Sequence, residues 1–162
     1  MRQLLISFLL LCAAGIPLNA QKAAALKSQG EAAFADQRWE EAYNNLNQYQ
    51  QQKPGDLEVI SKIGQSAYFL HLPDQAKQYL EYVTDQRKSS NPLDWFYMAR
   101  TYHGLMEWEK AIEAYKQFLR RAPASHPFRA NVYDNIQRCV SGMSTRPDES
   151  VALVENLGQV LN

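Results

Sequence analysis

Three histidines, His71, His103 and His126, are the side chains of this sequence best suited to bind a metal or carry a proton. His103 and Glu107 are four residues apart, a spacing that places two ligands on one face of a helix. A predicted turn at Gly104 separates them, however, and breaks the geometry that such a pair requires. The sequence has no second histidine pair and no Cys-x-x-Cys motif. We therefore predict no metal ion and no cofactor, and interpret His103 as a groove or turn histidine.

Nucleophilic catalysis needs an exposed serine on a rigid turn beside an oxyanion hole. The sequence has no Gly-x-Ser-x-Gly motif, and its seven glycines are scattered rather than grouped in a phosphate-binding loop. Acidic residues such as Glu40 and Glu109 lie near predicted helix starts, where the positive end of the helix dipole accounts for them. An unfamiliar enzyme or carrier site would require Arg100, His103 and Glu107 to converge in one pocket. We predict that the chain is not an enzyme.

The charge balance argues against a nucleic-acid partner. The 162-residue chain has 17 basic and 17 acidic side chains, whereas phosphate binding needs a clustered basic surface. The one local basic run, Arg120-Arg121, is explained by a helix C-terminus, although a weak contact with an acidic partner or membrane headgroups stays open. A mean hydropathy of -0.46 argues against an integral membrane protein apart from the short N-terminal segment, and we predict membrane association only indirectly or through a partner. The length suits one domain with a core.

Residues 1–20 predict a secretory signal peptide. Arg2 supplies a positive start, residues 4–14 form an apolar run that is short for a bilayer span, and Pro17 breaks that run before Ala20. Cleavage after Ala20 would make Gln21 the first residue of an exported protein, located in a bacterium in the periplasm or at the outer-membrane periphery. A retained membrane anchor is the alternative.

Cys139 is the single cysteine of the predicted mature chain. One thiol forms no intramolecular disulfide, so we expect the fold to depend on packing alone. The apolar neighbours Ile136 and Val140 predict a buried structural cysteine. A reactive or intermolecular thiol is the alternative.

The elements that position these residues repeat along the chain. Small and large residues recur 34 and 35 residues apart. The recurring columns are Gly30, Gly64 and Ala99; Trp39, Pro73 and Trp108; Ala42, Ala76 and Ala111; Leu46, Leu80 and Tyr115; and Tyr49, Val83 and Phe118. Steps of three and four residues place the large side chains on one helix face, and the small residues let two helices approach closely. Pro54, Pro92 and Pro123 close three units, each of which is predicted to be a helix pair. In the third unit the two amphipathic helices are joined by a short turn at Gly104.

The third unit resembles a tetratricopeptide repeat (TPR) through Trp95, Met98, Ala99, Tyr102, Ala111, Tyr115, Phe118 and Pro123. The first unit resembles it through Leu26, Gly30, Ala42, Leu46, Tyr49 and Pro54, and the second through Ile60, Ile63, Gly64, Ala76, Leu80 and Val83. The resemblance implies an all-α fold, a right-handed α-solenoid of three TPR-like helix pairs with a C-terminal capping helix. The repeat domain would span residues 23–142, with units 23–56, 57–91 and 92–125.

The capping helix is predicted over residues 127–142. Pro127 suits a helix start, and the apolar stripe Phe128, Val132, Ile136 and Val140, joined by Tyr133, is expected to cover the last repeat. Gly142 stands where a helix commonly ends. Residues 143–162 are predicted to be a polar linker and an apolar-rich tail, the start of a further module. A TPR segment followed by such a tail resembles the front of Bacteroidota OmpA-like cell-envelope proteins.

The TPR resemblance also implies a concave groove lined by the first helix of each unit. Mapped onto this sequence, the groove residues are Ala24, Lys27, Glu31 and Phe34; Ser61, Gln65, Tyr68 and Phe69; and Phe96, Arg100 and His103. Aromatic groups flanked by hydrogen-bonding groups suit an extended or helical peptide. The alternative is that Phe34, Tyr68 and Phe96 belong to the core between helices.

Some TPR domains bind a partner's terminal carboxylate with a lysine and an asparagine. Lys27 matches that lysine, but Glu31 occupies the asparagine's place and would repel a carboxylate, so we do not predict this mode. We predict an exported adaptor that binds a protein or peptide in the groove and serves a cell-envelope assembly, secretion or peptidoglycan-anchoring complex. The alternative is a structural spacer that self-associates through an end of the solenoid, recognisable by an apolar patch on its terminal helix.

Overall fold

The computed structural model describes residues 18–85 and 91–144, and all regular secondary structure within them is helical. The seven helices in this part of the chain are α1 Leu18–Ala35, α2 Trp39–Gln52, α3 Leu57–Phe69, α4 Pro73–Asp85, α5 Pro92–Gly104, α6 Trp108–Arg121 and α7 Arg129–Ser144. The prediction of an all-α fold is confirmed. Residues 1–17 of the predicted signal peptide and residues 145–162 of the predicted linker and tail lie outside the described residues, whereas residues 18–20 begin α1.

The helices form a right-handed α-solenoid, as the sequence predicts. Each helix packs against the next along the chain, which gives the pairs α1–α2, α3–α4 and α5–α6 and places α7 against α6. Helix α3 also contacts α1 on one side and α5 on the other, whereas the even-numbered helices among the described residues make no comparable contacts with one another. Helices α1, α3 and α5 therefore form the inner layer of the stack. No helix within residues 18–85 and 91–144 has the length and apolar character to cross a membrane.

Close packing within a unit depends on a small residue in its first helix. A Cβ atom added to Gly30 would lie 2.6 Å from Leu46 Cγ, and one added to Gly64 would lie 2.8 Å from Leu80 Cγ. Both leucines are fully buried, so neither has room to move aside. The close approach expected from the small-residue columns is thus present in the first two pairs.

The turn between the two helices of each unit has the same backbone geometry. Gln37, His71 and Met106, which are 34 and 35 residues apart, have φ angles of 59°, 56° and 60°. In the first unit the Arg38 N–H donates to the Ala33 carbonyl at 2.8 Å and the Gln37 N–H to the Phe34 carbonyl at 3.1 Å. The other two turns repeat this pair of bonds, which defines a Schellman motif. The turn predicted at Gly104 is therefore centred two residues later, at Met106.

Helix α7 differs in detail from the predicted capping helix. It begins at Arg129 rather than at Pro127, and it continues through Gly142 to Ser144. Gly142 faces the Trp108 indole, because a Cβ there would lie 2.9 Å from Trp108 Cε2. The glycine therefore allows a close approach to α6 instead of ending the helix.

The buried face of α7 is also rotated relative to the predicted stripe. Val132 and Cys139 are fully buried and Asn135 is nearly so. Val140 and Tyr133, which the stripe placed on the covering face, are 53% and 55% exposed. The side of α7 that packs against the repeats is therefore the one with Val132 and Cys139, whereas Tyr133 and Val140 on the neighbouring side stay in contact with solvent.

Candidate functional site

A row of aromatic rings runs along the inner layer. Trp39 at the start of α2 stacks on Phe69 of α3 with 4.1 Å between ring centroids. Phe34 of α1 meets the same indole edge-on at 5.4 Å, and Phe69 contacts Tyr97 of α5 at 5.3 Å. Phe69 therefore packs between units, whereas the ring of Phe34 contacts Trp39 within its own unit. Both predicted site residues are only partly buried, so their rings also contribute to the surface.

Beside this row, Tyr68 and Arg100 meet across the second and third units. The Arg100 Nε–H donates to the Tyr68 hydroxyl at 3.0 Å. Both side chains line a cavity of about 230 Å³, whose other walls are His71, Pro73, Thr101, Gly104 and Leu105. Arg100 is exposed, so the cavity opens beside a positive charge. The structure therefore brings together two of the predicted site residues in a concave pocket.

His103 lies one turn after Arg100 and faces the terminal helix. Its Nδ1 is 3.4 Å from the Cys139 sulfur and 3.5 Å from the Tyr115 hydroxyl. Burial, together with the positive charges of Arg100 and Arg138, lowers the pKa of His103 below its usual 6.5. Burial raises the pKa of the Cys139 thiol. A neutral imidazole and a protonated thiol therefore meet at neutral pH, and the fully buried Cys139 has the structural position that the sequence predicts.

Glu107 does not join Arg100 and His103 in a convergent site. Its carboxylate binds Lys77 Nζ at 2.5 Å and Lys110 Nζ at 2.7 Å instead. Within residues 18–85 and 91–144, no group of three or more histidine, cysteine or acidic side chains is arranged to hold a metal ion.

The two charged site residues of the first unit are engaged in ion pairs with the second. Lys27 Nζ lies 2.7 Å from the Asp56 carboxylate, and this hydrogen bond raises the pKa of Lys27. Asp56 is also the N-cap of α3, where its side chain accepts from the Val59 N–H. Glu31 accepts from Lys62 Nζ at 2.9 Å. Lys27 and Glu31 therefore fasten α1 to α3 and are not free charges.

Burial corrects the prediction for two site residues. Gln65 is 5% exposed, and its amide donates to the Asp94 carboxylate at 3.0 Å and to the Ser61 hydroxyl at 3.1 Å. Phe96 is 7% exposed and stacks on Phe128 at 4.6 Å. Both side chains join units to one another, as does the buried Ser61, and none of them is available to a partner. For Phe96, the alternative of a core residue is the one that holds.

Two residues of this region were not among the predicted site residues. Tyr97 contacts both Tyr68 and Phe69, with ring centroids 5.1 Å and 5.3 Å apart. His71 combines a left-handed backbone with a place in the cavity wall. Its 34- and 35-residue spacing from Gln37 and Met106 was a readable signal for the turn, whereas no spacing indicated Tyr97.

No family model matches the sequence, and no curated protein is significantly similar to it. Solved structures do resemble the fold. The first TPR domain of Spaghetti (RPAP3), solved bound to the HSP90 peptide SRMEEVD, superposes with a TM-score of 0.63 and 16% identity over 81% of this chain and 100% of that one. The Arabidopsis OM64 TPR domain superposes with a TM-score of 0.63 and 15% sequence identity, covering 75% of this chain and 96% of that one. PcrH from Pseudomonas aeruginosa superposes with a TM-score of 0.59 and 16% sequence identity, covering 74% of this chain and 92% of that one. The chain therefore has the TPR fold that its repeats predict.

Proposed function

We propose that this chain is a protein–protein interaction adaptor that binds a segment of a partner protein on its inner layer, around Tyr68 and Arg100. The observation that carries the proposal is the cavity that these two residues line with an exposed guanidinium at its edge. A volume of about 230 Å³ suits one side chain of a bound segment rather than a separate metabolite. The neighbouring ring surfaces of Phe34 and Phe69 extend the face on which a segment would lie.

The chemistry of the pocket suggests what the segment presents. The Tyr68 hydroxyl accepts a hydrogen bond from the Nε–H of Arg100. The other guanidinium N–H groups have no hydrogen-bond partner within the described residues. A guanidinium fork binds a carboxylate with two parallel hydrogen bonds, and a single guanidinium N–H group donates to a carbonyl oxygen. Pro73 and Leu105 supply apolar wall beside it. A short apolar side chain next to an acidic side chain or a free main-chain carbonyl would match this arrangement.

The RPAP3 domain is a precedent for a peptide ligand on this fold, since it was solved with one. The lysine-and-asparagine mode for a terminal carboxylate is disfavoured here. Asp56 already neutralises Lys27, and Glu31 lies where the asparagine would be required. Recognition is therefore expected to depend on the second and third units.

The proposed setting is a cell-envelope assembly, secretion or peptidoglycan-anchoring complex in the periplasm or at the outer membrane. It is supported by the signal-like residues 1–20 and by the resemblance of the repeat-plus-tail order to OmpA-like envelope proteins. Sequencing the N-terminus of the protein recovered from fractionated source cells tests it. Gln21 as the first residue in the envelope fraction is expected, and an intact Met1 in the cytoplasm would overturn the export proposal.

Cross-linked capture from an envelope extract tests the binding site. The parent chain is compared with Arg100→Ala and with Arg120→Ala, which removes another exposed arginine, one near the end of α6 that does not line the cavity. We expect a partner that the parent and Arg120→Ala retain and that Arg100→Ala loses, with unchanged circular dichroism in all three. Equal capture by both variants would reject the Tyr68–Arg100 pocket as the binding site.

A further inference from the structure

Helix α7 has an apolar face that nothing in the described part of the chain covers. Tyr133, Val140 and Met143 are 55%, 53% and 46% exposed, and the half-buried Ile136 lies between them. Their spacing of three and four residues places all four on one side of the helix, which we call the α7 outer face. A terminal helix of a solenoid usually has a polar outer side, because it ends the stack against water. The α7 outer face is therefore built for a further contact.

Residues 145–162, which the structure does not describe, follow α7 directly and contain a matching apolar sequence. Val151, Val154, Leu157 and Leu161 recur at steps of three and four residues. Residues 145–150 before them are polar apart from one proline. The chain thus has an apolar segment and an apolar helix face separated by a short spacer.

Distance and concentration favour the chain's own segment over any other occupant. A six-residue spacer reaches at most about 20 Å, and the sixteen residues of α7 extend about 24 Å, so the segment cannot leave the vicinity of the helix. A short tether gives an effective concentration on the order of millimolar, far above that of a second copy in solution. We propose that residues 151–161 pack against the α7 outer face of the same chain.

Photo-cross-linking of the full chain tests this contact directly. The photoreactive residue benzoylphenylalanine replaces Tyr133, and the products are separated by mass and digested for peptide mapping. Tyr82 of α4, a tyrosine that is 46% exposed, receives the same probe as a control. We expect Tyr133 cross-links to residues 151–161 in a band of monomer mass, and none to those residues from position 82.

A pair of substitutions distinguishes a specific apolar contact from a cross-link that forms only because the tail is tethered near α7. Leu157→Glu introduces a charge into the apolar segment and should lower the cross-link yield roughly tenfold, whereas Gln159→Glu changes the charge equally but outside the apolar positions and should leave it unchanged. Cross-links found in a band of dimer mass would instead identify a second copy as the occupant and overturn the proposal. Cross-links absent from residues 151–161, or equal yields in both variants, would overturn it too.

Discussion

The Cys139 sulfur of α7 lies 3.4 Å from Nδ1 of His103 on α5, so the terminal helix reaches past α6 to touch the inner layer. The Tyr115 hydroxyl of α6 approaches the same nitrogen at 3.5 Å. Three helices therefore meet at one imidazole nitrogen, whose role as hydrogen-bond donor or acceptor toward the hydroxyl and the thiol depends on the histidine tautomer. The protonation state of His103 consequently bears on the packing of the last unit.

Stability should fall at acid pH because of His103. Its pKa is lowered in the folded chain by burial and by Arg100 and Arg138, so the unfolded chain binds a proton more tightly. The free energy of unfolding should decrease as the pH falls below about 6.5 and continue to decrease down through the lower folded pKa. His103→Asn keeps a polar atom near the Nδ1 position but does not titrate. Urea unfolding at several pH values should show a weaker acid dependence in this variant, and identical dependence would contradict the assignment.

The contact of Gly64 with Leu80 should make that glycine hard to replace. The Cβ of Gly64→Ala would lie 2.8 Å from Leu80 Cγ, and the fully buried leucine has no free space. We expect a loss of about 1–3 kcal/mol in the free energy of unfolding. Gly104→Ala is the matched control, because a Cβ there meets no atom within 4 Å. If both variants unfold at the same urea concentration as the parent, the packing account of the small-residue column is wrong.

Replacing Met106 by glycine should stabilise the fold. Its φ of 60° strains a side chain, and the side chain is 71% exposed, so little packing would be lost. Relief of roughly 1–2 kcal/mol of strain is partly offset by the extra chain entropy of glycine in the unfolded state. Met106→Gly should therefore raise the free energy of unfolding by a few tenths to about 1 kcal/mol. Lys116→Gly, at an exposed helical position of α6, should lower it by about 1 kcal/mol in the same assay.

The repeat columns made the fold predictable, because the residues that decide helix pairing lie within one unit. Gly30 and Leu46, or Gly64 and Leu80, are close in sequence and recur with the period. The turn conformation was equally encoded in that period, but it falls on Gln37, His71 and Met106 rather than on glycines. Residue type alone therefore gave no sign of a left-handed backbone there.

The site was less predictable, because accessibility depends on partners from other units. Gln65 lies in the expected groove column, yet its amide is buried because it donates a hydrogen bond to Asp94, which is 29 residues away in the sequence. Phe96 is covered by Phe128, a residue beyond the last repeat. The apolar arc of α7 likewise did not indicate which of its edges would face α6. Tyr68 and Arg100 keep the accessibility that their column predicts, since Tyr68 is only partly buried and Arg100 is exposed, and their role in binding stays a prediction.

Gln65 should matter for stability rather than for binding. Its amide donates to the Asp94 carboxylate and to the Ser61 hydroxyl in the interior between α3 and α5. Gln65→Leu removes both donors while keeping much of the side-chain volume, and should lower the free energy of unfolding by about 1–3 kcal/mol. Gln75→Leu, at an exposed position of α4, should change it by less than about 0.5 kcal/mol. Partner capture by folded Gln65→Leu should equal that of the parent. If Gln65→Leu instead fails to capture the partner while its free energy of unfolding equals that of the parent, Gln65 belongs to the binding surface.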